Sequence, residues 1–355
     1  MKKVLLRKMA MLLAMLFLVT VIGGCSSEKQ NGQSTSKDED EKLQIGMCFD
    51  SFVIERWQRD RDIFVSMAKE LGAEVNVQNA NGDVEQQKKQ IDYFIKQNMD
   101  VIVIICIDSE ALKDSVKKAK DAGIKIIAYD RLISNANVDL YISFDNEKVG
   151  ELMAEAIVKK HGDTGKVIKI CGSTTDSNVH MVEAGFDKVM AENNYEILDT
   201  FYAEGWRAEL ASEYIYSNLE LIDEADAIMC GNDDLASKVV YALSEKRLAG
   251  EKLVVGQDAD LEACQRIVEG TQLSTVYKPI EKLAQQAAVC AVKMARGEEL
   301  NPEDLTVYND GTYEVPFFRI EPVNVTENNM NEIIIGSGFH LKEDVYLNVP
   351  SKINE

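Results

Sequence analysis

Proline is scarce in this chain and is confined to its C-terminal part. The 355 residues include five prolines, and all of them follow residue 278. Proline interrupts helices and central strands, so most of the chain lacks the strongest breaker of regular structure. We therefore expect uninterrupted helices and strands before residue 278 and punctuated connections after it. The prolines are Pro279, Pro302, Pro316, Pro322 and Pro350.

Motifs of nucleotide-binding and hydrolytic sites are also missing. Neither G-x-G-x-x-G nor G-x-x-x-x-G-K-[ST] is present to cradle a phosphate, and G-x-S-x-G and H-E-x-x-H do not occur. The three histidines, His161, His180 and His340, are scattered and lack the spacing of metal ligands. The sequence therefore predicts no catalytic residue, no metal and no cofactor, and a protein that is not an enzyme.

Basic residues are outnumbered by acidic ones. Lys and Arg total 39 against 60 Asp and Glu, which gives a formal net charge of −21. Nucleic-acid binding requires a basic face, and adsorption to anionic lipid requires clustered Lys and Arg. We therefore expect no nucleic-acid partner and no electrostatic attachment to a membrane.

An apolar run at the N-terminus predicts an export signal. Residues 9–22 are uncharged and apolar, follow a basic start, and lead into Gly23-Gly24-Cys25. This pattern is typical of a secretory signal peptide, and the run is short for a membrane span, which needs about 20 residues. Gly-Gly-Cys resembles a bacterial lipobox, so we expect removal of residues 1–24 and lipidation of Cys25. The alternative is an uncleaved anchor helix, which also leaves the rest of the chain outside the membrane.

The segment that follows Cys25 predicts a flexible tether. Ser26–Lys42 contains small, polar and charged residues and no large apolar side chain. Such a composition cannot bury a core and favours disorder. Residues 25–42 would therefore hold a folded body away from the bilayer.

Six cysteines remain beside Cys25, and no two of them form a C-x-x-C pair. Most lie in apolar runs with the pattern of strands or helices. We therefore expect free, buried thiols that act as small apolar side chains. They are Cys48, Cys106, Cys171, Cys230, Cys264 and Cys290.

Short apolar runs alternate with amphipathic segments after the tether. The runs are rich in Val and Ile and apolar at successive positions, which is typical of parallel strands covered by helices on both faces. The alternation restarts near residue 146, so two series of βα units predict an α/β fold with two doubly wound lobes. The predicted strands are 43–50, 73–80, 100–107, 124–130, 138–145, 166–173, 195–203, 227–232, 252–258 and 273–278. The predicted helices are 56–71, 84–97, 109–122, 147–160, 179–193, 208–221, 234–246, 260–269 and 280–296.

Polar side chains follow these strands at the positions where open α/β sheets bind ligands. Both signs of charge are present, and the two tryptophans, Trp57 and Trp206, each come shortly after a strand. A sugar presents apolar C–H faces and a rim of hydroxyls, so it requires aromatic plates together with hydrogen-bonding side chains. The sequence therefore indicates a sugar site. The strand-end residues include Asp130, Arg131, Asp145, Asn146, Asp176, Ser177, Asn178, Arg207, Asn232, Asp233, Asp234, Asp258 and Lys278.

Each of these residues also has a structural interpretation. Aspartate at the end of a strand commonly caps the following helix, and this alternative applies to Asp145, Asp176 and Asp233. Trp57 is alternatively an ordinary core residue, and Lys278 a solvated one. The combination of residues, rather than any one of them, favours a binding site.

These residues lie in segments that resemble the periplasmic D-xylose-binding proteins, which belong to the ribose-binding-protein group of type I sugar-binding proteins. The resemblance extends from about Leu43 to Leu341 and is most specific in YISFDNEKVGEL (141–152) and TVYKPI (275–280). It is weaker at residues 174–178 and around Trp206. The other matching segments are ERWQ (55–58), DRD (60–62), VQ (77–78), ANG (80–82), AYDR (128–131), GQDADL (256–261) and GTQ (270–272).

The resemblance implies two lobes that are joined by a three-segment hinge and close on a sugar. Crossings are expected near Asp145, near Lys278 and near residues 310–320, with helix 280–296 returning to the first lobe. The N-terminal lobe would comprise 43–145 and 280–312, and the C-terminal lobe 146–279 and 313–350. The implied hydrogen-bonding residues are Arg56, Asp130, Arg131, Asn146, Asn178, Asn232, Asp258 and Lys278, with Trp57 and Trp206 stacking on the sugar.

The implied function is capture of a monosaccharide, D-xylose, by a monomeric binding protein that delivers it to an ABC sugar importer. The alternative is a sugar sensor that signals through a membrane kinase or chemoreceptor. A cytoplasmic repressor or an enzyme with a similar fold are further candidates, and the predicted signal peptide argues against the repressor. The lipobox places the protein on the outer face of the cell membrane, in a bacterium that lacks an outer membrane.

Overall fold

The computed structural model describes residues 42–54 and 56–354. The predicted signal peptide, Cys25 and the predicted tether up to residue 41 lie outside the described residues. None of the helices among the described residues combines the length and the apolar character that a membrane span requires. The chain from Lys42 onward forms one compact unit, and this unit contains two β-sheets.

The first lobe alternates strands and helices from its first residues, as predicted. Successive side chains of a strand point to opposite sides of the sheet, and in these strands the side chains on both sides are apolar. Val101 and Val103 belong to one core cluster, whereas Ile102 and Ile104 belong to the other. In chain order the elements are β1 (Leu43–Phe49), α1 (Arg56–Glu70), β2 (Ala73–Asn79), α2 (Val84–Lys96), β3 (Val101–Ile104), α3 (Lys113–Asp121), β4 (Lys125–Tyr129) and β5 (Leu140–Phe144).

The second lobe repeats the alternation. The predicted helix 208–221 is two helices in the structure, because Asn218 leaves the helical conformation (φ −128°). The elements are α4 (Asn146–His161), β6 (Gly165–Cys171), α5 (Ser177–Glu192), β7 (Tyr195–Tyr202), α6 (Glu209–Ser217), α7 (Leu219–Glu224), β8 (Ala227–Cys230), α8 (Asp233–Glu245), β9 (Leu253–Gln257), α9 (Leu261–Glu269) and β10 (Ser274–Tyr277).

The last part of the chain contributes to both lobes. Helix α10 (Ile280–Ala295) returns to the first lobe and packs against α1, as the resemblance implies. Strands β11 (Thr306–Asn309) and β12 (Glu314–Ile320) join the first sheet, whereas β13 (Val323–Val325) joins the second. The short helix α11 (Lys342–Val345) packs on α9.

Both sheets are mainly parallel. The first has the strand order β11-β12-β5-β4-β3-β1-β2 and the second β13-β10-β9-β8-β6-β7. In each sheet one edge strand is antiparallel, namely β11 and β13. The polar residues predicted for the site follow the carboxyl ends of the parallel strands.

The chain crosses between the lobes three times, and the third crossing lies later than predicted. The first two crossings fall between Phe144 and Asn146 and between Tyr277 and Ile280, as expected. The predicted boundary at residue 313 assigned 313–350 to the second lobe, but β12 pairs with β5 up to Ile320. The sequence did not indicate this strand, because it contains Pro316 and proline is unusual inside a strand. Here Pro316 is exposed, and strand β12 pairs on both sides.

Two glycines allow α4 and α5 to pack closely. A methyl group on Gly150 would lie 1.9 Å from the carbonyl oxygen of Val182, and one on Gly185 would lie 1.9 Å from that of Glu147. Only a hydrogen side chain permits this approach. The close contact positions the N-terminal ends of both helices, which carry Asn146 and Asn178.

The six cysteines of the described part are free and buried, as predicted. Burial raises the pKa of their thiols, for example to about 12 for Cys48 and about 11 for Cys290. They pack as small apolar groups in the two core clusters.

Candidate functional site

The ten predicted site residues are all buried between the two lobes. The loops that follow β1, β4, β6, β7, β8, β9 and β10 bring nine of them around one small cavity. The tenth, Asn146, lies one layer behind and bonds to a lining residue. The nine are Arg56, Trp57, Asp130, Arg131, Asn178, Trp206, Asn232, Asp258 and Lys278.

Arg56 forms the centre of one group of charges. Its guanidinium donates to Asp130 Oδ2 (2.8 Å) and to Asp60 Oδ1 (3.1 Å), which lies one helical turn along α1. Tyr129 donates a short hydrogen bond to the same Asp60 oxygen. Arg56 also approaches Asp258 of the second lobe, with Nη1 at 3.7 Å from Oδ1. Arg56 is therefore held from behind by its own lobe and faces the other lobe.

Arg131 connects the lobes in a similar way. Its Nη1 donates to Asp50 Oδ2 (2.8 Å) and to the Cys106 carbonyl (3.0 Å), both in the first lobe. Its Nε lies 2.6 Å from Asp176 Oδ2, in the second lobe. Asp176 Oδ2 also accepts from Trp206 Nε1 (3.2 Å). One carboxylate thus holds both an arginine and a tryptophan in place.

Two asparagines extend the contacts between the lobes. Asn178 donates to Asp130 Oδ1 (2.9 Å), and Asn146 donates to Asn178 Oδ1 (3.0 Å). Asn146 also donates to Ser143 Oγ (3.2 Å) at the first crossing. These bonds orient the amide group of Asn178, because its oxygen can only accept and its nitrogen can only donate.

Two aspartates of the site have an unusual backbone conformation. Asp130 and Asp258 directly follow β4 and β9 and have φ of +64° and +99°. Positive φ is uncommon for residues other than glycine and costs of order 1–3 kcal/mol, so it persists only where the surroundings enforce it. Lys278 Nζ holds the carboxylate of Asp258 at 2.6 Å.

The two tryptophans of the cavity come from different lobes. Trp57 is 1% exposed and has Arg56 over its ring at 4.4 Å and Arg131 at 5.6 Å. Its Nε1 has no hydrogen-bond partner among the described residues. Trp206 packs directly on Gly172, where a methyl group would lie 2.2 Å from its ring. The ring of Trp206 thus packs against the backbone of Gly172.

Carboxylates outnumber cations in this site. Asp50, Asp60, Asp130, Asp176 and Asp258 share three cationic partners, Arg56, Arg131 and Lys278. Burial raises the pKa of Asp50, Asp60 and Asp176 despite the neighbouring arginines. Burial would raise that of Asp130 as well, but Arg56, Lys278 and Arg131 together hold this pKa below its ordinary value.

A residue that caps a helix can also belong to the site. Asp176 caps α5 by accepting from the Asn178 amide (2.9 Å), and its other oxygen faces Arg131. Asn232, rather than Asp233, caps α8, by accepting from the Leu235 amide (2.9 Å). Asp145 caps α4 but does not line the cavity.

Four polar residues of the site are absent from the predicted set: Asp50, Asp60, Asp176 and Gln257. Asp60 carried a signal, because it lies four positions after Arg56 and so on the same face of a helix. Asp50 and Gln257 lie at strand ends where other residues were predicted instead. Asp176 was a strand-end candidate with helix capping as its alternative, and the structure shows both roles.

The cavity itself is small. The lining side chains leave a volume of about 20 Å³, which is room for about one water molecule. No cluster of His, Cys, Asp or Glu in the described part is arranged to hold a metal ion. The three histidines lie elsewhere, each beside a backbone carbonyl.

Comparisons with known proteins agree with this architecture. A family model described as a periplasmic binding protein domain matches residues 45–299. The D-xylose-binding periplasmic protein of Haemophilus influenzae is 41% identical, over 93% of this chain and 98% of that protein. The protein of the same name from Escherichia coli is also 41% identical, over 86% of this chain and 93% of that protein.

Among solved structures, the chain is similar to an ABC transporter solute-binding protein from Clostridium phytofermentans with bound β-D-glucose. The TM-score is 0.76 at 27% sequence identity, and the match covers 85% of this chain and 99% of that one. The similarity therefore spans both lobes and the cleft between them.

Proposed function

Since the chain belongs to the periplasmic binding protein family, we propose that it captures D-xylose between its two lobes and delivers the sugar to an ABC importer. The relatives at 41% identity are binding proteins rather than enzymes. This confirms the prediction that the chain is not an enzyme. Both relatives are D-xylose-binding periplasmic proteins and match most of the chain, which supports xylose as the ligand.

The observation that carries this proposal is a set of polar groups that line one cavity and lack hydrogen-bond partners. Trp57 Nε1 and Gln257 Oε1 are buried there without a partner among the described residues. An unpaired buried polar atom costs about 1–3 kcal/mol, so a ligand rich in hydroxyls that satisfies both gains that free energy. A monosaccharide has hydroxyls that both donate and accept.

The charged residues suit a neutral ligand with many hydroxyls. Carboxylates accept from hydroxyls, whereas arginine and lysine donate to them. In the proposed complex, Arg56, Asp130, Arg131, Asn178, Asn232, Asp258 and Lys278 hydrogen-bond the sugar, and Asn146 supports Asn178. Trp57 and Trp206 contact its apolar faces. Asp176 belongs to this set as well, because it holds Arg131 and Trp206.

Hinge closure is the proposed means of capture. Arg56–Asp258, Arg131–Asp176 and Asn178–Asp130 pair residues of opposite lobes. Opening at the three crossings exposes these groups to water, and closure on a sugar exchanges their hydration for hydrogen bonds to the ligand. A membrane partner then distinguishes the closed form from the open one.

Attachment through a lipid on Cys25 completes the proposal and rests on the N-terminal sequence alone. Mass spectrometry of the protein recovered from membranes tests it, because a diacylglyceryl group adds a defined mass to the N-terminal peptide. An unmodified N-terminus before residue 25, or release of the protein into the medium, would refute the anchor and leave the sugar site unaffected.

Isothermal titration tests the ligand. The chain without residues 1–24 is titrated with D-xylose, D-ribose, D-glucose and L-arabinose. One-to-one binding that is tightest for xylose supports the proposal, whereas preference for another sugar retains the cleft and refutes the specificity. Stimulation of a reconstituted permease and its ATPase supports delivery to an importer; activation of a sensor kinase instead supports the alternative signalling role.

A further inference from the structure

A network of buried polar side chains lies behind Asp258 in the second lobe. It includes Asp233 of α8, Arg266 of α9, and Gln272 and Thr275 near and within β10. None of these four lines the cavity. Burying so many polar groups is unfavourable unless each is paired, so their arrangement calls for a physical explanation.

The network ends on a backbone turn in a conformation that costs free energy. Asp258 and Ala259 are consecutive residues with φ of +99° and +56°. The Ala259 amide donates to Thr275 Oγ1 (3.1 Å), and the Asp260 amide donates to Asp233 Oδ2 (3.2 Å). These two bonds hold the turn that follows Asp258.

Thr275 transmits the constraint to Asp233. Its hydroxyl accepts from the Ala259 amide and donates to Asp233 Oδ2 at 2.6 Å. A threonine hydroxyl has one proton to donate, so these two bonds determine its direction. The turn, the threonine and the aspartate therefore form one continuous chain of hydrogen bonds.

Asp233 is itself held rigidly. Gln272 Nε2 donates to its Oδ1 (2.9 Å), Arg266 Nε donates to Gln272 Oε1 (2.9 Å), and Arg266 Nη2 donates to the Asp233 carbonyl (3.3 Å). Burial raises the pKa of Asp233 to about 7, against the opposing effect of Arg266. The side chains of Gln272 and Arg266 thus keep the carboxylate of Asp233 in position.

We propose that Asp233 and Thr275 are positioning residues that fix the left-handed turn at Asp258 and so aim its carboxylate at Lys278 and the ligand. The inference rests on the proposed function, because its effect on affinity presupposes a ligand that contacts Asp258. Neither residue touches the ligand. Both act through Asp258, whose position is set by the turn and not by the strand alone.

The chain offers a closely matched pair of variants for the test. Thr275→Val is nearly isosteric and removes both hydroxyl bonds. Ser274→Ala, at the adjacent and equally buried position of β10, removes a hydroxyl that has no partner among the described residues. Thr275→Ser restores the hydroxyl. Asp233→Asn places an amide donor against a donor in either orientation, against Gln272 Nε2 or against the Thr275 and Asp260 donors, and serves as the second disruptive variant.

Xylose affinity is measured by titration at pH 8, above the raised pKa of Asp233. Thr275→Val and Asp233→Asn are expected to weaken binding about tenfold, the equivalent of one lost hydrogen bond at a charged group. Ser274→Ala and Thr275→Ser are expected to bind like wild type. Equal affinity of Thr275→Val and wild type would overturn the proposal.

A double-mutant cycle separates positioning from a general structural role. In an Asp258→Ala background, Thr275→Val is expected to cause no further loss, because residues that act through one group are not additive. A tenfold loss that persists in this background would overturn the proposal. General loss of structure would also weaken the background variant further, so it does not reproduce the expected result.

Amide hydrogen exchange in the sugar-free protein tests the turn without any ligand. Thr275→Val is expected to lower the protection of the Ala259 and Asp260 amides, and Ser274→Ala to leave it unchanged. Unchanged protection in Thr275→Val would refute the network. If the wild type binds none of the sugars, the proposed function fails, whereas the exchange result still decides whether the network holds the turn.

Discussion

Arginine side chains that face the cleft are supported from behind by carboxylates of their own lobe. Asp60 supports Arg56, and Asp50 supports Arg131. A buried arginine without a carboxylate partner would be strongly unfavourable, since removing one member of a buried pair costs about 3–5 kcal/mol. The supporting carboxylates therefore let each guanidinium remain charged and pre-oriented when the lobes part.

Arg131→Ala is predicted to weaken sugar binding by about 2–5 kcal/mol, because it leaves buried acceptors unpaired. Titration with D-xylose measures the change. Arg61→Ala is the control, because Arg61 is a partly exposed arginine whose carboxylate partner is the neighbouring Asp62. Wild-type affinity of the Arg131 variant would show that the site has been misplaced.

The connection between β11 and β12 illustrates how one side chain secures an element. Asp310 Oδ2 accepts from the amides of Ala136 (2.9 Å) and Asn137 (2.8 Å). Its Oδ1 accepts from the amides of Thr312 (2.9 Å) and Tyr313 (2.7 Å). The carboxylate thus joins the β11–β12 hairpin to the loop before β5, at the edge of the first sheet.

Asp310→Asn is predicted to lower the free energy of unfolding by about 2–3 kcal/mol near pH 7, because an amide cannot accept at both positions. Burial alone would raise the pKa of Asp310, but the four backbone donors lower it. A lowered pKa in the folded state stabilises the protein above the ordinary aspartate pKa of about 3.9, and this contribution disappears as the pH falls through the folded value.

Urea unfolding at a series of pH values measures this difference. The gap between wild type and Asp310→Asn should be largest above about pH 4 and should shrink at lower pH. Asp304→Asn, at an exposed position in the same segment, controls for the loss of one negative charge. A gap that did not depend on pH would contradict the assigned hydrogen bonds.

Closure of the whole molecule depends on a balance at the cleft. Pairs such as Arg131–Asp176 join the lobes but bury charge, and the desolvation of buried ions offsets much of their attraction. We therefore expect sugar-free protein to populate an open form, which the ligand shifts toward the closed one through the additional hydrogen bonds it makes.

Tryptophan emission reports this shift with little interference. The sequence contains two tryptophans, and both line the cavity. Addition of D-xylose is predicted to change the emission, and small-angle scattering should show a smaller radius of gyration. Trp206→Phe should remove part of the fluorescence change. An unchanged radius of gyration with bound sugar would exclude hinge closure.

The sequence by itself determined the elements up to residue 296 and the chemistry of the cleft. Alternating Val- and Ile-rich runs indicate the ten strands of the two predicted series, because local periodicity reports burial directly. Strand-end residues such as Asp130, Asp258 and Lys278 indicate the site, because parallel strands direct their carboxyl ends to one edge.

Only the tertiary structure decided how distant segments combine. It pairs β12 with β5 despite Pro316, gives Asp176 a place in the site beside its cap, and connects Asp233 to the turn at Asp258. Each of these depends on residues far apart in the chain. Hydrophobic period and local capping rules describe neighbours along the sequence. The contacts of β12 and of Asp233 form only when distant segments of one lobe fold together, and that of Asp176 with Arg131 only when the two lobes meet.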